Sequence, residues 1–245
     1  MTSPRAHTAG TSARRHAARL RRAEVGRQHR KGLPLLAGSL LLSIALAPTL
    51  SHTGGLMRLA SLLLLVGLPG WVARRCYQPG PEVRRWRHGA EGEQRTARLL
   101  RPLARRGWTV LHDLAIPGTR ANADHLVLLP DGRGAVMVDS KHLNRTGQVT
   151  VRGGTLHCGN RTYPDMLSTA RGLAEKAGAA LGVPAAALVV VHGARVPNGR
   201  IRAQGVTIVS PSRLRGELTS IPCTPDRDRA ELLADRARRH LPPHT

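Results

Sequence analysis

Apolar residues are distributed unevenly along the chain. Residues 32–73 carry a single formal charge, Arg58, and contain an uncharged run from Leu33 to Leu50 and a second apolar run from Leu56 to Val72. A helix needs roughly 20 apolar residues to cross a bilayer core. The two runs, joined by Ser51-His52-Thr53-Gly54-Gly55, therefore predict a two-helix transmembrane hairpin over 32–73, with Arg58 snorkelling near the turn. The preceding residues 1–31 hold nine Lys and Arg against one acid, Glu24, and Arg74, Arg75, Arg84, Arg85 and Arg87 follow the second run. Positive flanks on both sides predict a multi-pass protein of the cell membrane, with its N-terminus and its C-terminal domain cytoplasmic. Residues 1–31 read as a basic, solvated tail that enforces this topology, and residues 74–84, with Pro79-Gly80-Pro81, read as a linker.

Beyond the linker the periodicity changes. From Gly89 to Arg106, Ala97, Leu100, Leu103 and Ala104 recur at helical spacing with arginines between them, which predicts an amphipathic helix closed by Gly107. Trp108 to Leu114, Ala123 to Leu129 and Ala135 to Lys141 predict three strands, the last two joined through Pro130-Asp131-Gly132-Arg133. Gln148 to Arg152 and Thr155 to Cys158 predict a small hairpin. A helix from Pro164 to Leu181 then leads into the continuous apolar strand Ala185 to Val191, which suits burial on both faces. A strand at Gly205 to Ser210 precedes helices at Pro211 to Leu218 and Asp226 to His240. This order predicts an α/β fold, a mixed sheet flanked by helices over 85–210, with a helical extension over 211–245.

Composition narrows the function. A net charge of +23 favours polyanionic partners, nucleic acid or anionic lipid, while only five aromatic residues argue against stacking platforms for single strands. The cysteines Cys76, Cys158 and Cys223 form no CxxC and support neither a disulfide framework nor a zinc knuckle. Lysine is rare: Lys31, Lys141 and Lys176 are the whole complement among 38 cations, so a lysine invites a chemical reason.

One lysine stands in a suggestive place. A two-residue hairpin turn at Asp131-Gly132 puts Asp124 directly opposite Asp139, and opposed side chains share one face of a sheet. Lys141, two residues beyond Asp139, returns to that face. Two facing carboxylates repel unless a cation lies between them. Magnesium prefers oxygen ligands and keeps waters that a phosphate can replace, so the pair suits Mg2+, with Mn2+ as the alternative. Lys141 then has three open roles: to orient the attacking water, to deprotonate it, or to stabilise charge on the transition state. Glu93 extends the buried stripe of the first helix toward the sheet and offers a third acid, whereas Glu91 faces elsewhere. His125 and His142 flank the acids and read either as phosphate contacts or as structural histidines.

Five segments, Gly89-Ala90-Glu91-Gly92-Glu93, Leu111-His112-Asp113-Leu114, Ala123-Asp124-His125, Val136-Met137-Val138-Asp139-Ser140-Lys141 and Gly147, together resemble the nuclease-related domain (NERD), a branch of the PD-(D/E)xK nuclease superfamily. The resemblance covers about residues 85 to 185. It implies a restriction-endonuclease-like fold and metal-dependent cleavage of phosphodiesters, in DNA. Glu93 then matches the helix acid, Asp124 the first strand acid, and Asp139 with Lys141 the (D/E)xK pair, so that Asp124, Asp139 and Glu93 are the metal ligands. Where the family pattern expects a glutamine on the next helix, this chain reads Asp165-Met166-Leu167-Ser168, and Gln148 offers the other amide. Two readings follow: a membrane-anchored, metal-dependent nuclease, or a non-catalytic membrane-associated module that keeps the fold and binds nucleic acid or a protein.

Overall fold

The computed structural model describes residues 9–51, 54–143 and 146–244. Its chain divides into two compact units, residues 15–86 and a larger unit of residues 87–245 together with the segment up to Arg14.

The smaller unit is helical. Helix α1 (Thr11–Ser51) is one continuous element, α2 (Gly54–Cys76) contains Pro69, and α3 (Pro81–Leu100) begins here and continues into the larger unit. This overturns the expected transmembrane hairpin and the location at the cell membrane drawn from it. Among the described residues no helix is long and apolar enough to cross a membrane. The reason lies in α1: the basic tail, expected as a solvated arm, is helical from Thr11, so the first apolar run is the second half of a helix whose first half carries Arg14, Arg15, Arg19, Arg21, Arg22 and Arg27. Residues 52–53 of the expected turn and the Arg58 side chain lie outside the described residues. Within this unit Arg21 is hydrogen-bonded to Glu24, to Gln28 and to the Tyr77 carbonyl.

The larger unit is a mixed α/β layer structure. After α3 and a 3-10 turn (Arg101–Arg106) come β1 (Thr109–Ala115), β2 (Asn122–Leu128) and β3 (Ala135–His142). A three-stranded sheet follows, β4 (Val149–Arg152), β5 (Thr155–Cys158) and β6 (Arg161–Tyr163), and then α4 (Met166–Leu181) and β7 (Ala185–His192). The chain ends with β8 (Arg200–Ala203), β9 (Val206–Val209), α5 (Leu214–Thr219) and α6 (Arg227–His240). The main sheet runs β1-β2-β3-β7-β9-β8, antiparallel at both ends and parallel where β3 meets β7 and β7 meets β9.

Its two faces are both covered, which is why β3 and β7 are apolar without alternation. Ala135, Met137, Ala187, Val189 and Val191 pack on one face with Leu167, Ala170, Ala174 and Ala177 of α4 and Leu233 and Ala237 of α6. Val136, Val138, Leu188 and Val190 pack on the other, with Leu100, Leu103, Leu214 and Leu218. Helix α4 passes so close to the turn before β7 that a Cβ at Gly178 would lie 2.8 Å from the Val183 carbonyl.

The β2–β3 hairpin has the expected register, His125 pairing with Val138 and Leu126 with Met137, although its turn is looser than a two-residue loop. Leu129 donates to the Gly134 carbonyl, Gly132 (φ +65) donates to the Leu129 carbonyl, and Asp131 accepts from the Arg133 amide. Two strands give no clear signal in the sequence. β6 is three residues long and largely exposed, and β8 is an edge strand with two arginines.

Candidate active site

The hairpin register, carried one step past His125 and Val138, sets Asp124 against Asp139 on the α4 face. Asp124, Asp139 and Lys141 line one open cavity of about 480 Å³, together with Ala121 and Asn122 where the chain enters β2, Thr162 and Tyr163 of β6, and Asp165, Met166 and Thr169 where it enters α4. The sheet is apolar along β3 up to Val138 and becomes polar at Asp139, so the change of character coincides with the cavity.

Within it, Lys141 Nζ lies 3.0 Å from Asp139 Oδ1 and 2.9 Å from Asp139 Oδ2. The Asp139 side chain is 16% exposed and that of Lys141 39%. The carboxylates of Asp139, Asp124 and Glu93 outweigh burial and push the Lys141 ammonium up to about 12. These three carboxylates thus hold Lys141 as a cation. Asp124 is buried, and one oxygen, Oδ2, accepts from the Ser140 amide at 2.8 Å. Burial and then the neighbouring Asp139 and Glu93 carboxylates hold its carboxyl well above the usual range.

Glu93 is placed differently. It sits on the buried stripe of α3 with Ala90, Thr96 and Leu100, but it is absent from the cavity lining. Its Oε2 is buried with no hydrogen-bond partner among the described residues, and burial, with Asp113 and Asp139 nearby, pushes its carboxyl up to about 7. Glu91 points outward, near His88 and Arg95.

The donors fit a hard divalent cation: every acid contributes oxygen, like charges suppress one another's ionisation, and Glu93 carries an unmatched buried oxygen. Among the described residues, however, no three His, Cys, Asp or Glu side chains are gathered to hold one ion. The cavity floor is thus a two-carboxylate floor, with Glu93 close enough to act electrostatically.

The two histidines and Gln148 lie outside the cavity lining. His125 is fully buried and on the opposite face of β2 from Asp124, bonded to His112 at 2.8 Å, so it is structural and does not meet a phosphate. His142 stacks on His88. Gln148 is exposed and bridges to Arg195, so it supplies no amide to the cavity, where Asp165 and Thr169 stand instead.

Sequence reasoning assigned no role to Asp113. It has φ +53 inside β1, is fully buried, and accepts from the Ser12 amide (2.8 Å), the Ser12 hydroxyl (2.7 Å) and Asn122 Nδ2 (3.0 Å). The neighbouring Gly10 amide is hydrogen-bonded to Glu93. The segment before Arg14 therefore occupies two acids beside the cavity, and a local motif cannot reveal a partner 101 positions away.

Residues 88–194 match the family model of the nuclease-related domain. The chain contains a nuclease-related domain. The match runs from the middle of α3 past the end of β7, so it includes Glu93, Asp113, Asp124, Asp139 and Lys141 and omits β8, β9 and the last two helices. Neither comparison with curated proteins nor comparison with solved structures gives a match.

Proposed function

We propose that the nuclease-related domain of this chain is a metal-dependent nuclease that hydrolyses phosphodiester bonds, with DNA as substrate and Mg2+ or Mn2+ as the metal, on a restriction-endonuclease-like sheet. The observation that carries this reading is the convergence of Asp124, Asp139 and Lys141 in one cavity at the point where β3 turns from apolar to charged.

Asp124 and Asp139 would hold the metal, with the Glu93 carboxyl behind the cavity. A divalent cation held by these residues would supply Lewis-acid polarisation of a phosphoryl oxygen and a more acidic attacking water. The Lys141 ammonium donates to the non-bridging phosphate oxygens and offsets the charge that grows as water oxygen bonds to phosphorus and the ester oxygen leaves. Asp139 fixes the Lys141 head, and the Ser140 amide fixes Asp124. The high net positive charge of the chain draws in the polyanion.

The test is cleavage of supercoiled plasmid, linear DNA and RNA by the full-length protein with Mg2+, with Mn2+ and with chelator. Metal-dependent loss of DNA that chelation stops supports the reading. Binding of DNA without cleavage under either metal favours the non-catalytic module instead.

A further inference from the structure

We propose that Ser140 and Thr96 are positioning residues for the candidate site, their paired hydroxyls setting the helix acid Glu93 against the strand acids Asp124 and Asp139. The inference rests on the metal-dependent reading above, and it assigns work to the face of the sheet away from the cavity.

Ser140 is the residue between Asp139 and Lys141. Strand alternation sends its side chain through to the other face, where Oγ donates to Thr96 Oγ1 at 2.8 Å. Thr96 Oγ1 in turn lies 2.8 Å from His192 Nε2, and His125 Nε2 lies 3.3 Å from Ser140 Oγ. Ser140 gives its proton to Thr96, which leaves the Thr96 proton for His192, and the His125 ring is hydrogen-bonded to Ser140 and to His112.

These groups interrupt a face built otherwise from Val127, Val136, Val138, Leu188 and Val190. Thr96 and His125 are fully buried, and His192 is nearly so. A valine at any of these positions would bury as well without the risk of an unpaired polar group, since a satisfied hydrogen bond adds only about 1 kcal/mol net. A fully paired polar cluster instead fixes one geometry.

The geometry it fixes is that of the acids. Thr96 lies three residues after Glu93 on the same stripe of α3, and the His125 ring is hydrogen-bonded to the Glu93 backbone. At the other end, the Ser140 amide donates to Asp124 while its neighbours are Asp139 and Lys141. One cluster thus holds α3 to β2, β3 and β7, and touches the backbone or neighbour of every acid in the proposed site. Groups that orient metal-holding side chains from behind typically alter metal affinity by 10- to 100-fold when removed.

The experiment measures Mn2+ binding to the full-length protein by calorimetry, beside thermal unfolding, for wild type, Ser140→Ala, Thr96→Val, Thr96→Ser and Val138→Ala. Expected are about tenfold or greater losses of Mn2+ affinity in Ser140→Ala and in the isosteric Thr96→Val, with Thr96→Ser close to wild type. Val138→Ala, a cavity on the same face with no hydroxyl involved, should lower the unfolding temperature and leave Mn2+ affinity unchanged. Unaltered affinity in both hydroxyl variants, or an equal loss in Val138→Ala, overturns the positioning role alone. Failure of the wild-type protein to bind Mn2+ overturns the metal reading, and the positioning role with it.

Discussion

Ser12 and Asp113 are 101 residues apart, and both the amide and the hydroxyl of Ser12 donate to the Asp113 carboxylate, at 2.8 and 2.7 Å. Asp113 is fully buried at a left-handed backbone position within β1. Hydrogen bonds to a charged group contribute about 1.5–3 kcal/mol each, so Ser12→Ala is expected to lower the stability of the larger unit by about 2 kcal/mol, read as a shift in the urea midpoint. Ser12→Thr keeps both bonds and should restore it. Removing residues 1–14 should destabilise further, since it also takes the Gly10 amide from Glu93. A midpoint indifferent to Ser12 contradicts this account.

The state of Lys141 makes a second prediction. Its neighbours hold the ammonium up to about 12, which favours a role by charge over one as a base. Lys141→Met should reduce DNA cleavage by two orders of magnitude or more, on the scale found when one preorganised charge donor is lost. Lys141→Arg should keep a measurable fraction, limited by its broad planar head. Asp124→Ala and Asp139→Ala should abolish cleavage. Equal loss in the Met and Arg variants would return the base role to Lys141.

The pH dependence of stability follows from Glu93. Its carboxyl rises from 4.5 to about 7 on folding, so between those values the folded state binds more protons than the unfolded one. Stability of the metal-free protein is then greatest near and below pH 4.5 as far as this group is concerned, and it falls as pH rises through about 7. The loss amounts to about 3 kcal/mol at most, each pH unit of displacement being worth about 1.4. Asp124, raised for similar reasons, acts in the same direction. Glu93→Gln should flatten the decline of the unfolding temperature between pH 5 and 8, and an unchanged slope would show that Glu93 is not its source.

Nucleic-acid affinity is expected to be electrostatic. With a net charge of +23, binding to a DNA duplex should weaken about tenfold or more between 50 and 200 mM salt. Asp139→Asn should leave that slope unchanged, since it removes no cation. Fluorescence anisotropy across a salt series checks both statements.

Short-range physics was legible in the residues alone. Asp131-Gly132 set the hairpin register and thereby the facing of Asp124 and Asp139, the period of two returned Lys141 to the same face, and the period of the helix placed Glu93 inward and Glu91 outward. Those relations depend on neighbours within a turn or one hairpin. Tertiary structure decided the rest. Whether the basic tail and the first apolar run were two elements or one depended on the helix continuing through Lys31, and hydropathy does not register that continuity. That Glu93 stands behind the cavity, that β6 and the start of α4 line it, and that Ser12 and Gly10 reach Asp113 and Glu93 all depend on contacts between residues tens of positions apart. Such contacts leave no periodic trace, because they are selected by the packing of whole elements and not by the spacing of residues within one.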